Sequence, residues 1–447
     1  MTKNTIYALS TISGKSGVAV FRVSGKNALK SVQSMTDIDV LSIEPRHSYL
    51  TSVYHSQTKQ MLDKALVLYF KAPHSFSGED VVEFHTHGSR AVIKSVLESL
   101  SAVDDFRLAE PGEFSKRAFL NNKMDLTEAE GLADLIDAET SIQQEQALKQ
   151  MSGNLKNLYE NWRQELLGVY AYLEAYIDFP DENIPQNVIE KNLNTVFKIK
   201  KEIKNHLENS KSGERLRDGF KVVITGPTNA GKSSLINALI DRKAVIVSDT
   251  PGTTRDAVDI HLDIKGYPVI LTDTAGLRKT CDDIEKQGIE IAVEKIKEAD
   301  FILAVFDASK DDKNTFSELE NTDQNKILYI ANKIDILNNE QCSKFKKNGC
   351  LLISAKEKYG LNELLNILGE KIKNSIGSNT NLLMTRARYR EALQDCLDNL
   401  EVFNFEKPIE LGAEDIRLAA RAIGKITGKI EIDEILDKIF SSFCIGK

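Results

Sequence analysis

"FKVVITGPTNAGKSSLINALI" (Phe220–Ile240) decides the fold at the centre of this chain. Val222, Val223 and Ile224 form a β-branched apolar run that predicts a buried strand. The run leads into Gly226-x-x-x-x-Gly231-Lys232-Ser233, and an amphipathic helical pattern follows. Strand, glycine loop and helix in that order are the context a P-loop requires. Gly226 and Gly231 let the backbone curl so that amide N–H groups face phosphates, and the new helix points its positive end at them. Asn229, Ala230, Gly231, Lys232, Ser233 and Ser234 are therefore the phosphate-side residues, with Lys232 reaching the outer phosphates and the Ser233 hydroxyl ligating Mg²⁺. "SGKSG" (13–17) also holds Gly-Lys-Ser but lacks the earlier glycine.

The next motifs identify the nucleotide. "YPVILTDTAG" (267–276) is an apolar strand ending at Asp273, the place for an outer-sphere Mg²⁺ carboxylate, followed by Thr274, Ala275 and Gly276, which can approach a γ-phosphate. "KILYIANKID" (326–335) is a second buried strand ending in Asn332-Lys333-x-Asp335. An aspartate there can accept from both nitrogens of the guanine N1/N2 edge, which adenine does not offer, so the nucleotide is GTP. "CLLISAK" (350–356) is a strand ending at a base-contacting loop with Ser354, Ala355 and Lys356. The order of these four elements is that of a small, Ras-like GTPase domain. Two departures bear on mechanism: Leu277 stands where Ras-type proteins carry a water-orienting glutamine, and the P-loop carries Asn229. "VSDTPGTTRDAVD" (247–259) is the candidate switch loop, with Thr253 or Thr254 supplying a Mg²⁺-sensing hydroxyl and Thr254 the better aligned.

Outside this centre the bulk properties set limits. A length of 447 residues suggests about three domains. The formal net charge of -8 argues against a general nucleic-acid coat while leaving room for a local basic site. Five scattered cysteines (281, 342, 350, 396 and 444), without metal spacing, read as a reducing compartment. No apolar run is long enough to span a bilayer, and the N-terminal stretch lacks the apolar core of a signal peptide, so a cytoplasmic protein without a membrane partner is expected.

Residues 1 to about 119 read as mixed α/β, with strands at "GVAVFRVSG", "KALVLYFKA" and "DVVEFHTHG". If 81–87 is a strand, Glu83, His85 and His87 share a face, as a metal site or as ordinary strand-edge polar residues. From about 120 the pattern is helical, opening with Asp125-x-x-Glu128 as a capping box and running to about 209 with breaks at Pro180 and Pro185. Helical texture returns after the GTPase motifs. The simplest organisation is one helical domain (120–210 and 377–447) split by an inserted GTPase domain (211–376), behind an N-terminal domain (1–119). "RLRD" (215–218) reads as the entry linker.

The guanine motifs, Leu277, Asn229 and "TPGTTRD" resemble those of the bacterial translation and tRNA-modification GTPases. The chain resembles the MnmE (TrmE) family of tRNA modification GTPases from end to end. The resemblance implies a K⁺ ion held by Asn229, Ser248, Thr250 and Thr253, Mg²⁺ held by Ser233 and Thr254, and Glu285 as the water-orienting carboxylate, with Asp282 and Asp283 as nearby rivals. It implies that the N-terminal domain binds 5,10-methylene-tetrahydrofolate or 5-formyl-tetrahydrofolate through Arg22, Glu83, Lys123 and Lys447. It also implies a homodimer, a heterotetramer with a FAD protein similar to MnmG, and tRNA as the substrate.

The ending, "FCIGK" (443–447), places Cys444 where a prenylation box would, but the closing Gly446-Lys447 and the lack of a polybasic stretch speak against a lipid site. In the resembled family this ending lies toward the folate pocket. Cys444 is then either a nucleophile toward the target uridine or a thiol held there for packing. The expected function is addition of a carboxymethylaminomethyl or aminomethyl group at C5 of wobble uridine 34, with GTP hydrolysis resetting a conformational cycle. Two rivals are a ribosome-assembly GTPase that binds RNA and modifies nothing, and a folate enzyme using GTP as effector. An assembly factor calls for a basic RNA-binding module, and none is evident in the sequence.

Overall fold

In the computed structural model, which describes residues 4–179, 186–208, 210–244, 259–273, 293–310, 316, 319, 322–376, 384–404, 407–430, 436 and 439–446, the alternation at 81–87 becomes a strand whose side chains alternate between core and surface. The chain divides into two compact units, one of Met1–Ala133, Met151–Leu167 and Ala420–Lys447, the other of Asp134–Gln150 and Gly168–Ala419.

The first unit holds a six-stranded sheet built from β1 (Thr5–Leu9), β2 (Ser16–Ser24), β3 (Ser48–Tyr54), β4 (Met61–Phe70), β5 (Val81–Gly88) and β6 (Phe106–Leu108). Their order is β3-β4-β5-β2-β1-β6, antiparallel except for the β1–β6 pair. Phe21, Val23, Val67, Val82 and Phe84 point to one face and form a core with Val32 and Met35 of the helix Leu29–Met35 and Val96 and Leu100 of the helix Arg90–Ser101. The latter starts where the Ser89 hydroxyl accepts from the Val92 amide. The expected capping box also forms: the Asp125 amide donates to Glu128 Oε2 (2.7 Å) and the Glu128 amide to Asp125 Oδ1 (2.8 Å), opening the helix Leu126–Asp137.

The second unit holds the other sheet: β7 (Phe220–Thr225), β8 (Asp259–Ile264), β9 (Tyr267–Asp273), β10 (Phe301–Asp307), β11 (Ile327–Asn332) and β12 (Leu351–Leu352), in the order β12-β11-β10-β7-β9-β8. All pairs are parallel except β8–β9. β10 is buried along its whole length, as a central parallel strand covered on both faces must be. The helix Leu361–Ile376 packs Leu361, Leu364, Leu368, Ile372 and Ile376 against the β7 side at helical spacing. The strand expected at 350–356 is realised only over Leu351–Leu352, because Ile353 onward turns to meet the loop after β11.

"RLRD" is not a linker. It ends the helix Ser210–Asp218, and Leu216 is buried in the same core as Phe220 and Val222. Arg215 pairs with Asp300 (2.7 Å). Arg217 meets Asp134 at 2.9 Å, and the same carboxylate takes Arg386 at 2.6 Å. One apolar anchor and two ion pairs, invisible in local composition, fix the segment. Among the described residues no helix is long and apolar enough to cross a membrane.

Candidate functional site

β7 ends at Thr225, and the chain then turns sharply over the end of the parallel sheet. Gly226 has φ +145°, and a Cβ there would overlap the Val305 carbonyl oxygen on β10. Gly231 has φ +93°, and a Cβ there would overlap the Asn332 side-chain amide. Both positions need glycine, for conformation and for space. Asn229, also in the left-handed region at φ +64°, is exposed on the loop between them. The helix Lys232–Leu239 follows with no side chain capping its first turn, so its leading amides and positive end face outward for an anion. Lys232 is largely buried, and its ammonium donates to the carbonyls of Gly226 (2.6 Å) and Pro227 (2.7 Å), bonds that a phosphate oxygen can take over. Ser233 and Ser234 are exposed at the helix start, and Asp273 ends β9 beside Ile224 of β7.

The base-side loops are tied to this cradle by one residue. Asn332, 2% exposed, donates from Nδ2 to the Ala230 carbonyl (2.9 Å) and accepts at Oδ1 from the Ala355 amide (3.1 Å). It therefore joins the phosphate loop to the loop after β12. Asp335 is exposed, with Oδ1 accepting from the buried Ser354 hydroxyl (2.6 Å). That bond orients the carboxylate for a flat donor edge. Lys333 turns at φ +65° and its ammonium meets Asp307 Oδ2 (2.7 Å). Asp307 also accepts from the Ser309 amide (3.0 Å) and hydroxyl (2.7 Å). Burial pushes the Asp307 carboxyl up, but the Lys333 and Ser309 bonds outweigh it and leave the group below its usual range. Asp307 is a site residue that motif reading missed; its only signal was an acid closing an otherwise apolar strand. Lys356 is exposed beside Glu357. Ser248, Thr250, Thr253, Thr254, Thr274, Ala275, Gly276 and Glu285 lie outside the described residues.

A second cluster sits on the other sheet. Arg22 and Glu83 are register partners on β2 and β5, and Arg22 Nε and Nη2 both reach Glu83 Oε1 at 2.9 Å. Glu83 Oε2 lies 3.2 Å from His85 Nε2. The guanidinium also stacks 5.1 Å from the Phe76 ring centre and 5.8 Å from that of Phe114. The Lys123 ammonium donates to the Pro73 carbonyl (2.9 Å), so Lys123 joins the same 73–78 loop that lays Phe76 on Arg22. Glu83, His85 and His87 do share a face, yet His87 is taken by Asp63 of β4 (2.8 Å). No group of three or more His, Cys, Asp or Glu among the described residues is arranged to hold a metal.

The chain's end docks within this unit. The Gly112 amide donates to the Cys444 carbonyl (3.4 Å), and the Ser10 hydroxyl to the Gly446 carbonyl (3.0 Å). Ser10 lies two residues beyond Ala8, the ladder partner of Arg22. Phe443 is buried against Phe440, while Cys444 is an exposed free thiol. Lys447 lies outside the described residues.

Comparisons with known proteins match both units. A family model described as the MnmE helical domain matches residues 126–444, and one described as the GTP-binding protein TrmE N-terminus matches residues 5–123. The tRNA modification GTPase MnmE of Rickettsia typhi is 46% identical over 445 residues, covering 99% of this chain and 100% of that protein. The protein of the same name from Orientia tsutsugamushi is 46% identical over 451 residues, covering 100% of both. That from Rickettsia akari is 45% identical over 445 residues, covering 99% of this chain and 100% of its own.

Proposed function

The chain belongs to the MnmE family of tRNA modification GTPases, and from that premise we propose that it works with a flavin-dependent protein similar to MnmG to modify C5 of wobble uridine 34. The added group is carboxymethylaminomethyl or aminomethyl. Its carbon comes from methylene-tetrahydrofolate and its nitrogen from glycine or ammonium. The full-length likeness to the Rickettsia typhi protein is the observation that carries this reading.

The chain's own residues supply the steps of GTP hydrolysis. The loop Asn229 to Ser234 cradles the phosphates, with Lys232 leaving the Gly226 and Pro227 carbonyls for the outer ones. Asp335 accepts from the guanine edge, while Asn332 holds the phosphate and base loops in register. Lys333, Ser354, Ala355 and Lys356 complete the base side. Thr253, Thr254 and the run Asp273 to Gly276 sense the γ-phosphate, and Glu285 orients the attacking water. The exposed Ser233, with Thr254, would hold Mg²⁺; the exposed Asn229, with Ser248, Thr250 and Thr253, would hold K⁺. These cations would neutralise charge developing between the phosphates.

Arg22, Glu83, Lys123 and Lys447 hold the folate, Arg22 and Lys123 toward its carboxylate tail and Glu83 toward its pterin edge. Cys444, exposed where the tail docks near Arg22, is available to the uridine. The working domains are 1–119, 120–210 with 377–447, and 211–376, in a cytoplasmic homodimer. Reconstitution with the purified flavin partner, GTP and methylene-tetrahydrofolate labelled at its one-carbon unit tests this: label should enter the wobble nucleoside. Unlabelled tRNA, in an assay where a Rickettsia typhi control transfers label, would overturn it.

A further inference from the structure

The connection from β4 to β5 runs from residue 71 to 80, about twice the length of an ordinary hairpin loop, and it holds no helix or strand of its own. It is nevertheless tied down from below. Ser24 and Ser77 are both fully buried, with their hydroxyl oxygens 2.6 Å apart. The Ser24 hydroxyl gives its one hydrogen to Glu79 Oε2 (2.9 Å), so Ser77 is the donor across the short contact. The same Glu79 oxygen takes Arg117 Nη1 at 2.9 Å, from the helix Glu113–Leu120. One turn further on, Asn121 Nδ2 donates to the Ser77 carbonyl (2.7 Å). A hydroxyl pair, a charge-assisted bond and an amide therefore fasten residues 77–79 to β2 and to the end of that helix.

What this fastening holds in place is Phe76. Its ring is half-buried against the core of Ile6, Ala8, Ala109 and Phe114, and the Arg22 guanidinium lies 5.1 Å from its centre. Phe114, fully buried, meets the same guanidinium at 5.8 Å. Both distances are within the reach of a cation–π contact. Arg22 is otherwise held by Glu83, through two bonds to Oε1. A ligand edge that engages the Glu83 carboxylate competes with those bonds, and the two rings then keep the guanidinium aimed. Phe114 is fixed by the core and by its helix. Phe76 sits on the long loop, so its position depends on the bonds at Ser77 and Glu79.

We propose that Phe76 is a positioning residue of the folate site, acting through Arg22, and that Asn121 and Arg117 hold the loop that carries it. This rests on the folate reading given above. The test is a double-mutant cycle on the full chain, read by fluorescence titration with 5-formyl-tetrahydrofolate. Phe76→Leu keeps an apolar side chain and removes the ring. It should weaken binding about tenfold when Arg22 is present, and by less than about twofold in an Arg22→Met background. Asn121→Ala touches neither ring and removes one tether. It should weaken binding about threefold, again only when Arg22 is present. Thermal unfolding of each variant reports whether it is folded, and if Phe76→Leu is not, the Asn121→Ala cycle decides. A ring that served packing alone would give the same loss in both backgrounds, and that result would overturn the proposal. So would wild-type affinity in Phe76→Leu, while wild-type affinity in Asn121→Ala would overturn the tether. Failure of the wild-type chain to bind 5-formyl-tetrahydrofolate would remove the folate reading itself and this proposal with it.

Discussion

Replacing Asn332 by alanine should weaken every guanine-site ligand alike, because this buried amide is a brace between two loops. The change removes the donor to Ala230 (2.9 Å) and the acceptor from Ala355 (3.1 Å) in a site that is 2% exposed. It leaves a carbonyl and an amide without partners, each worth about 1–3 kcal/mol when buried. Water entering the space left by the side chain recovers part of that, so a net loss of about 3 kcal/mol is expected, or about 150-fold in an equilibrium. The loss divides between folding and affinity, and thermal unfolding with and without GDP separates the two. Titration with GDP and with xanthosine diphosphate then assigns the role. Asn332→Ala should weaken both nucleotides by a similar factor. Asp335→Asn should weaken GDP and favour the xanthine base, whose edge carries an acceptor in place of the amino group. If Asn332→Ala spared xanthosine diphosphate while GDP binding fell, the side chain would be a base contact and the bracing argument would be wrong.

Other outcomes follow from the same geometry. Gly231→Ala should abolish measurable GDP binding while leaving the far-ultraviolet circular dichroism intact, since the new methyl strikes the Asn332 amide rather than the core. Glu83→Gln should lower 5-formyl-tetrahydrofolate affinity by about tenfold or more in fluorescence titration, because the charge holding Arg22 in place is lost. Glu113 is buried, which alone would raise its carboxyl, but bonds from Arg107, the Glu110 amide and Arg117 leave it below its ordinary value of 4.5. With a folded value below the unfolded one, its stabilisation is present above about pH 4.5 and is lost as pH falls through the folded value. Urea denaturation midpoints should therefore decline in acid, and Glu113→Gln should shrink that decline. Replacing K⁺ by Na⁺ should slow GTP hydrolysis at least about tenfold, and Asn229→Ala should make the two salts equivalent.

What could be read in advance was local. The P-loop, the alternation at 81–87 and the Asp125–Glu128 box each sit within about a dozen residues, and each took the expected form. Pairings between distant segments were not legible. Asp307 became a site residue through Lys333, which belongs to another strand's end. "RLRD" looked like a linker because charge dominates it, yet Leu216 and the pairing of Arg217 with Asp134, 83 residues away, hold it in place. The role of Asn332 as a brace was also hidden, since its motif predicts the position but not the two backbone partners.

The most direct test of the central claim is mass spectrometry of wobble-uridine nucleosides in tRNA from cells lacking this protein, complemented with wild type or Cys444→Ser. Deletion should remove the C5-modified uridine and wild type should restore it. Failure of Cys444→Ser to restore it, with folate binding and GTP hydrolysis retained, would assign the thiol a chemical role, whereas full rescue would leave it a packing residue of the docked tail. An unchanged level of the modified uridine in the deletion strain, with no second copy of the gene, would contradict the account and favour a GTPase that binds RNA without modifying it.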